Sequence, residues 1–172
     1  MQSTQILRPA QPADVPGIAA IERLLAARCF VGQWTEEHHR HTMASADARY
    51  FVSQTESGEL LAFAILRGLA ESSRAIELKR IVVATPSQGL GRRIMQELMR
   101  MVFEEFGAHR LWLDVCDDNT RARHLYESLG FVYEGVLREA EYRDGEFVSL
   151  RLMSLLDREY EARASRSVSA DR

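Results

Sequence analysis

The stretch from Thr85 to Arg93, TPSQGLGRR, is the feature that most constrains what this chain can fold into. It lies between a strand-like segment, 76–83, and a helix-like segment, 94–106. A glycine-rich turn that opens a helix presents backbone N–H groups and the positive end of the helix dipole to an anion. Gly89 and Gly91 would let the main chain approach such a ligand closely. Many such turns bind nothing, so the turn predicts a phosphate site only if a second motif supports it.

Length and composition indicate one domain over residues 1–172, with a core of about 5–157 and a polar tail, 158–172. The net charge of −3 argues against a nucleic-acid partner, which normally requires a basic excess. No apolar run approaches the ~20 residues that span a bilayer, and residues 1–8 contain no hydrophobic signal core. Cys29 and Cys116 are widely spaced, as expected of buried thiols in a reducing compartment. We therefore expect a cytoplasmic protein with no membrane partner.

Hydrophobic periodicity and turn signals predict the element order β-α-α-β-β-β-α-β-α-β-β. The predicted strands are 5–8, 50–54, 60–69, 75–83, 109–115, 131–141 and 146–156, and the predicted helices are 15–27, 35–44, 89–106 and 119–129. This order defines an α+β (mixed α/β) fold with a central mixed, mostly antiparallel sheet and helices on both faces. A dinucleotide-binding fold is excluded, because its glycine turn would follow the first strand and here it follows the fourth.

A second motif follows the glycine turn by about thirty residues: Asn119 to Phe131, NTRARHLYESLGF, with the spacing N-x-x-A-x-x-x-Y-x-x-x-G-F. The two motifs and the element order resemble the GNAT N-acetyltransferases over about residues 5–157. The closing hairpin around Tyr142 to Phe147 looks like that of the ribosomal-protein N-terminal acetyltransferase type. The resemblance implies a GNAT-like fold that uses acetyl-CoA as co-substrate.

In that family acetyl-CoA lies where two parallel strands splay apart, so the resemblance implies specific cofactor contacts. The pantetheine arm would pair with the end of the fourth strand, and the Val83 amide would hold the thioester oxygen. The full set of implied cofactor-binding residues is Ile81, Val82, Val83, Gln88, Gly89, Leu90, Gly91, Arg92, Arg93, Asn119 and Tyr126. Asn119 is equally a good helix N-cap. Pro86 stands where the family usually has Arg or Gln, and Gln88 can take over that contact.

Two residues are the catalytic candidates beside the Val83 amide. Tyr126 matches the family's tyrosine near the thioester sulfur, where a phenol can protonate the departing thiolate; alternatively it is a packed core residue. Glu77 is the candidate base that accepts the amine proton, because it precedes Ile81 by four residues and should share its face. Glu77 can equally be a solvated strand residue, with a water chain accepting the proton.

The acceptor pocket is predicted from three aromatic residues, Phe30, Trp34 and Tyr142, which lie on segments that wall it in this fold; they can equally close the core. Glu77 would complete the substrate-binding set. His38 and His41 lack a third ligand at suitable spacing, so no metal is expected. Asp114 is interpreted as a strand-end residue. Arg80 could attract the cofactor's phosphates or be an ordinary surface arginine.

The sequence thus predicts an acetyl-CoA-dependent N-acetyltransferase that acts on a primary amine of a small molecule or a protein N-terminus. The amine would attack directly in a ternary complex. The alternative is a non-catalytic acyl-CoA-binding sensor or regulatory module. A homodimer is compatible with the edge strands of such a sheet.

Overall fold

The computed structural model describes residues 6–26, 33–85 and 89–170, and its core is a seven-stranded sheet. The strands are β1 Arg8–Pro9, β2 Ala48–Gln54, β3 Leu60–Arg67, β4 Ala75–Val83, β5 Arg110–Cys116, β6 Val132–Arg143 and β7 Glu146–Leu156. Their order in the sheet is β1-β2-β3-β4-β5-β7-β6, and β4–β5 is the parallel pair among otherwise antiparallel neighbours. The predicted fold class, a mostly antiparallel mixed sheet, is confirmed.

Within the described residues, five α-helices connect and flank these strands. They are α1 Val15–Ala26, α2 Glu36–Met43, α3 Leu90–Arg100, α4 Thr120–Leu129 and α5 Asp157–Ala170. A 3-10 turn, Pro12–Asp14, precedes α1, and a π-helical turn, Met101–Glu105, continues α3. The predicted elements therefore exist in the predicted order, although the tail forms a full helix. None of the helices in the described ranges is long and apolar enough to cross a membrane.

Local sequence signals explain where several helices begin and end. The Thr35 side chain accepts a hydrogen bond from the His38 amide and caps α2. Asn119 caps α4 by accepting from the Ala122 amide at 3.2 Å. Gly130 ends α4 in the left-handed conformation, with φ 99°, which favours glycine.

Helices cover both faces of the sheet, and each face has its own apolar core. On one face α3 and α4 pack on the central strands through residues such as Ile94, Leu98 and Leu129. On the other face α1 packs on β2, β3 and β4 through Ile18 and Ile21. We call these the α3 face and the α1 face.

The parallel pair β4–β5 separates after three register pairs, the last of which is Glu77 with Trp112. A β-bulge lies just beyond this point, because Leu78 pairs with Leu66 and Arg80 with Ile65, which leaves Lys79 without a partner on β3. The separation of the two strands opens the sheet at its centre.

The bulge also reverses the side-chain alternation of β4. Ile76 and Leu78 belong to the core of the α3 face before the bulge, and Ile81 and Val83 pack against the same core after it. Glu77 therefore lies on the opposite face from Ile81. The expectation that these two side chains share a face was wrong, because it assumed an unbroken two-residue period.

Candidate active site

A cavity of about 530 Å³ occupies the opening between β4 and β5 and extends to the N-terminal ends of α3 and α4. It is a cleft of the size that holds a cofactor or substrate, at the point where the sheet divides. The residues that line it are Leu78, Lys79, Arg80, Ile81, Val82, Val83, Gly89, Gly91, Arg92, Leu113, Asp114, Val115, Cys116, Asp118, Asn119, Thr120, Arg121, Ala122, Leu125, Tyr126, Glu141, Arg143 and Leu150.

The described end of the glycine turn, from Gly89 onward, borders one end of the cavity. Gly89 is the N-cap of α3 with φ 81°, a conformation that side chains with a Cβ adopt at a cost. A Cβ on Gly91 would stand 3.8 Å from Val83 Cγ2 and 3.9 Å from Leu125 Cδ2, at the cavity wall. Arg92 lines the cavity and donates to Ser128 Oγ at 2.6 Å. The turn thus brings amides and a guanidinium to one end, as an anionic group requires.

Of the other residues predicted at this turn, Leu90 and Arg93 are not part of the cavity lining. Gln88 and Pro86 lie outside the described residues. The predicted anion site therefore rests on Gly89, Gly91 and Arg92 together with the start of the helix.

The end of β4 forms one long wall. Ile81, Val82 and Val83 all line the cavity, as predicted. The described part of β5 does not pair with β4 beyond Glu77, so this edge can form backbone hydrogen bonds with a bound ligand.

Tyr126 and Asn119 face the cavity from α4, so the second sequence motif and the glycine turn converge on one site. Tyr126 is buried and packs against Phe131, with ring centroids 5.7 Å apart. Burial, and then the charge of Asp114, raises the pKa of the Tyr126 phenol. The phenol therefore stays protonated at neutral pH and can donate. Asn119 lines the cavity and also caps α4. Its position is therefore compatible with both predicted roles, contact with the cofactor and helix N-cap.

A group of charged residues surrounds the point where β4 and β5 separate, and we call it the cavity cluster. Its members are Glu77, Lys79, Asp114, Glu141 and Arg143. Lys79 Nζ lies 3.2 Å from Glu77 Oε1, and Arg143 donates to Glu141. The Asp114 carboxylate forms no side-chain hydrogen bond or ion pair with another residue of the described ranges, although its backbone pairs with Leu152 of β7. Burial raises the pKa of its carboxyl, and the nearby Lys79 charge opposes this.

Sequence reasoning missed Asp114 as a site residue and interpreted it as a strand end. The signal was present: Leu111, Leu113 and Val115 are buried on the α3 face, and Asp114 is the carboxylate between them on the other face of β5. Only the separation of β4 and β5 turns that face into a cavity wall.

The predicted acceptor-site residues do not gather at this cavity. Glu77 is paired with Lys79 and is not among the lining residues. Tyr142 is 66% exposed near the β6–β7 turn, where its ring lies 5.0 Å from that of Phe147. Trp34 packs on the α1-face core rather than lining the cavity, and Phe30 lies outside the described residues.

A second group of polar and charged residues, which we call the buried cluster, joins α1, α2, β2 and β4. It comprises Glu22, His39, Tyr50 and Arg80. Arg80 donates to Glu22, which is 1% exposed, and the Arg80 guanidinium lies 4.2 Å from the centre of the Trp34 ring. The second carboxylate oxygen of Glu22 accepts from the Trp34 amide at 2.7 Å. Arg80, interpreted from sequence as a surface residue, is therefore part of a buried ion pair.

His39 completes that cluster. It is fully buried, its Nε2 lies 3.4 Å from Glu22 and its Nδ1 lies 3.2 Å from the Tyr50 hydroxyl. Within the described ranges, no group of three or more His, Cys, Asp or Glu residues is arranged to hold a metal ion.

A cleft between two splayed strands, with an anion site at one end and a buried tyrosine beside it, defines a transferase that can use an acyl-CoA donor. The family model described as "Acetyltransferase (GNAT) family" matches residues 21–131. The chain belongs to the GNAT acetyltransferase family. It is an acetyl-CoA-dependent N-acetyltransferase, as the sequence predicted.

Two similar proteins of known activity differ in their acceptors. The chain is 27% identical over 173 residues to the spermidine N(1)-acetyltransferase of Vibrio cholerae serotype O1, which covers 93% of this chain and 97% of the relative. It is 32% identical over 134 residues to the ribosomal protein bS18-alanine N-acetyltransferase of Escherichia coli, covering 77% and 83% of the two chains.

Solved structures support the fold. The Vibrio cholerae spermidine N-acetyltransferase in complex with CoA and spermine superposes with a TM-score of 0.77 at 23% identity, over 90% of this chain and 96% of that one. At this identity the likeness bears on the fold alone.

Proposed function

We propose that this enzyme transfers the acetyl group of acetyl-CoA directly to a primary amine of a small molecule or a protein N-terminus, within a ternary complex. The observation that carries the proposal is the cavity itself. Gly89 and Gly91 of the glycine turn, the open edge of β4 and Tyr126 all border it. This arrangement supports phosphate, pantetheine and thioester contacts along one path.

In the proposed complex the diphosphate lies against the amides from Gly89 onward and the guanidinium of Arg92. The pantetheine arm pairs with the Ile81–Val83 edge. The Val83 amide donates to the thioester oxygen, where negative charge develops during attack.

We assign the proton acceptor to Asp114 in preference to Glu77. Asp114 lines the cavity, whereas Glu77 is held by Lys79 beside it. A protonated amine cannot attack a thioester, so a group that accepts its proton must lie where the amine enters, and Asp114 is the carboxylate that borders the cavity there. The raised pKa of Asp114 brings its carboxyl nearer to the working pH, which favours proton acceptance in the transition state.

Tyr126 is assigned to the leaving group. Its phenol lines the cavity and forms no hydrogen bond with another residue of the described ranges, so it can donate to the departing sulfur. The same phenol is regenerated by solvent after CoA leaves.

The experiment that tests the proposal measures thiol release from acetyl-CoA with a panel of primary amines, for wild type and for Tyr126→Phe. We expect turnover by wild type and a loss of kcat of about 10² in the variant. Calorimetry with CoA measures whether the protein binds the cofactor. CoA binding without turnover on any amine would support the sensor alternative, and no binding at all would overturn the proposal.

A cytoplasmic location and a homodimer are also parts of this proposal. Cys116 is buried and free, as thiols are in a reducing compartment, and Cys29 lies outside the described residues. β6 ends the strand order and exposes apolar side chains, with Tyr133 at 49% and Val136 at 47% exposure. Such an edge favours pairing with a second copy. Cell fractionation and light scattering of the purified chain test the two statements.

A further inference from the structure

The chain contains a single lysine, Lys79, among its 22 Lys and Arg residues. That lysine is the extra residue of the β-bulge in β4, and it lines the cavity between β4 and β5. The other cationic residues of the lining are arginines, whose guanidinium groups stay protonated and do not act as nucleophiles. Lys79 Nζ is therefore the one primary amine that the described residues bring to the cavity.

The surroundings of Lys79 are those that an acceptor amine needs. Its side chain is 24% exposed, and Nζ lies 3.2 Å from Glu77 Oε1, a carboxylate that can accept a proton. Its charge also acts on Asp114, the proposed proton acceptor, so the ammonium lies on the acceptor side of the cavity. The proposed oxyanion donor, the Val83 amide, belongs to the same strand and the same cavity.

From this geometry we infer that the enzyme acetylates its own Lys79 when acetyl-CoA is bound and no other amine fills the site. The inference rests on the proposed function. Nζ gives a proton to the Glu77 or Asp114 carboxylate and attacks the thioester carbonyl carbon. The N–C bond forms, the nitrogen loses its second proton to solvent, the C–S bond breaks, and the thiolate takes a proton from Tyr126, which solvent then restores. The products are an Nε-acetyllysine and CoA.

Acetylation of Lys79 changes the charge on the side of the cavity where the amine acceptor would bind. An acetylated Lys79 is neutral, so Glu77 loses its ion-pair partner and the cavity cluster becomes more negative. The attraction of the site for a cationic acceptor then increases. Because self-acetylation consumes acetyl-CoA, the supply of acetyl-CoA would alter how strongly the site binds an amine acceptor.

The test incubates the full chain with acetyl-CoA and follows intact mass, with peptide mapping of the product. We expect one added acetyl group, on Lys79, at a rate per molecule that does not change with protein concentration. The matched control is Lys79→Arg, which keeps the positive charge and removes the nucleophile. Incorporation in wild type should exceed that in Lys79→Arg, and that in urea-unfolded wild type, by roughly tenfold or more.

The outcomes separate this inference from the proposed function. Turnover of added amines with Lys79 unmodified, or with acetyl only at the N-terminal amine, overturns the self-acetylation alone. A rate per molecule that rises in proportion to protein concentration overturns the intramolecular step. Absence of CoA binding overturns both.

Discussion

The two charged clusters beside β4 differ in what surrounds them, although both contain carboxylates and cations. The buried cluster joins Glu22 and Arg80 in a pair whose side chains are 1% and 8% exposed. In the cavity cluster the Glu77 and Lys79 side chains are 14% and 24% exposed, and Asp114 borders the cavity. Arg80 also borders the cavity, but its partner Glu22 does not. A charge pair enclosed in a core mainly holds elements in place, whereas a carboxylate or amine that is open to a cavity can exchange protons with a ligand.

The buried pair therefore positions α1 and Trp34 against β4, whereas proton chemistry is the role proposed for the cavity cluster. Removing a charge from the first should cost stability. Removing one from the second should cost activity.

The largest effect expected is on stability, from Glu22→Gln. The substitution removes the negative charge that Arg80 contacts inside the core, and breaking such a pair costs about 3 kcal/mol of unfolding free energy. Urea unfolding measures the loss. The matched control is Glu36→Gln, which breaks an exposed pair with Arg40 and should cost less than about 0.5 kcal/mol. Equal losses in both variants would contradict the distinction between the clusters.

The next effect is on activity, from Asp114→Asn. We expect kcat to fall by about 10², the contribution of a general base. Its stability at neutral pH should equal or exceed that of wild type. The folded-state pKa of Asp114 is raised, so ionisation of its carboxyl opposes folding above the unfolded-state pKa, and asparagine avoids this. Steady-state kinetics and thermal unfolding on the same samples measure both effects.

Glu77→Gln is the control for that assignment and should lower kcat only a few-fold. If Glu77→Gln lost as much activity as Asp114→Asn, or more, the proton acceptor would have to be reassigned.

The pH dependence of kcat at saturating amine also tests the assignment of Asp114 as the proton acceptor. The base must be ionised to act, and burial raises the pKa of Asp114, so kcat should fall on acidification at a higher pH than an ordinary aspartate would give. The residual activity of Asp114→Asn should lack this acidic limb. A limb that survives unchanged in the variant would assign the titration to another group.

The smallest effects are expected at the glycine turn, where two alanine variants separate backbone strain from ligand contact. Gly89→Ala adds a Cβ at φ 81° with no atom within 4 Å, so it should cost about 1 kcal/mol of stability through strain alone. Gly91→Ala is unstrained but places a methyl group at the cavity wall beside Val83 and Leu125. It should weaken CoA binding several-fold at unchanged melting temperature. Thermal unfolding measures the stability of each variant, and calorimetry measures its CoA binding. A loss of both stability and CoA binding in the same variant would contradict this separation.

Much of the fold could be predicted from the sequence because its signals are local. The Asn119 cap, the Gly130 stop and the glycine turn each act through neighbouring backbone atoms. Alternation along a strand shows which side chains share a face. These signals gave the element order, the mixed sheet and the convergence of two motifs.

The site itself could be predicted only in part. Tyr126, Asn119 and the end of β4 line the cavity as expected, because the two motifs carried them. Glu77 was placed on the wrong face because nothing in ELKRIVV marks the bulge at Lys79. Arg80 was interpreted as exposed because its partner, Glu22, is distant in the chain.

The sequence by itself determined the elements, their order, the family and the cofactor, since each depends on residues close together in the chain. The tertiary structure alone decided which charges are enclosed and which face the cavity. That division follows from where β4 bulges and parts from β5, and from which helix covers each side. Burial and the pairing of charges are properties of three-dimensional packing, and no local pattern encodes them.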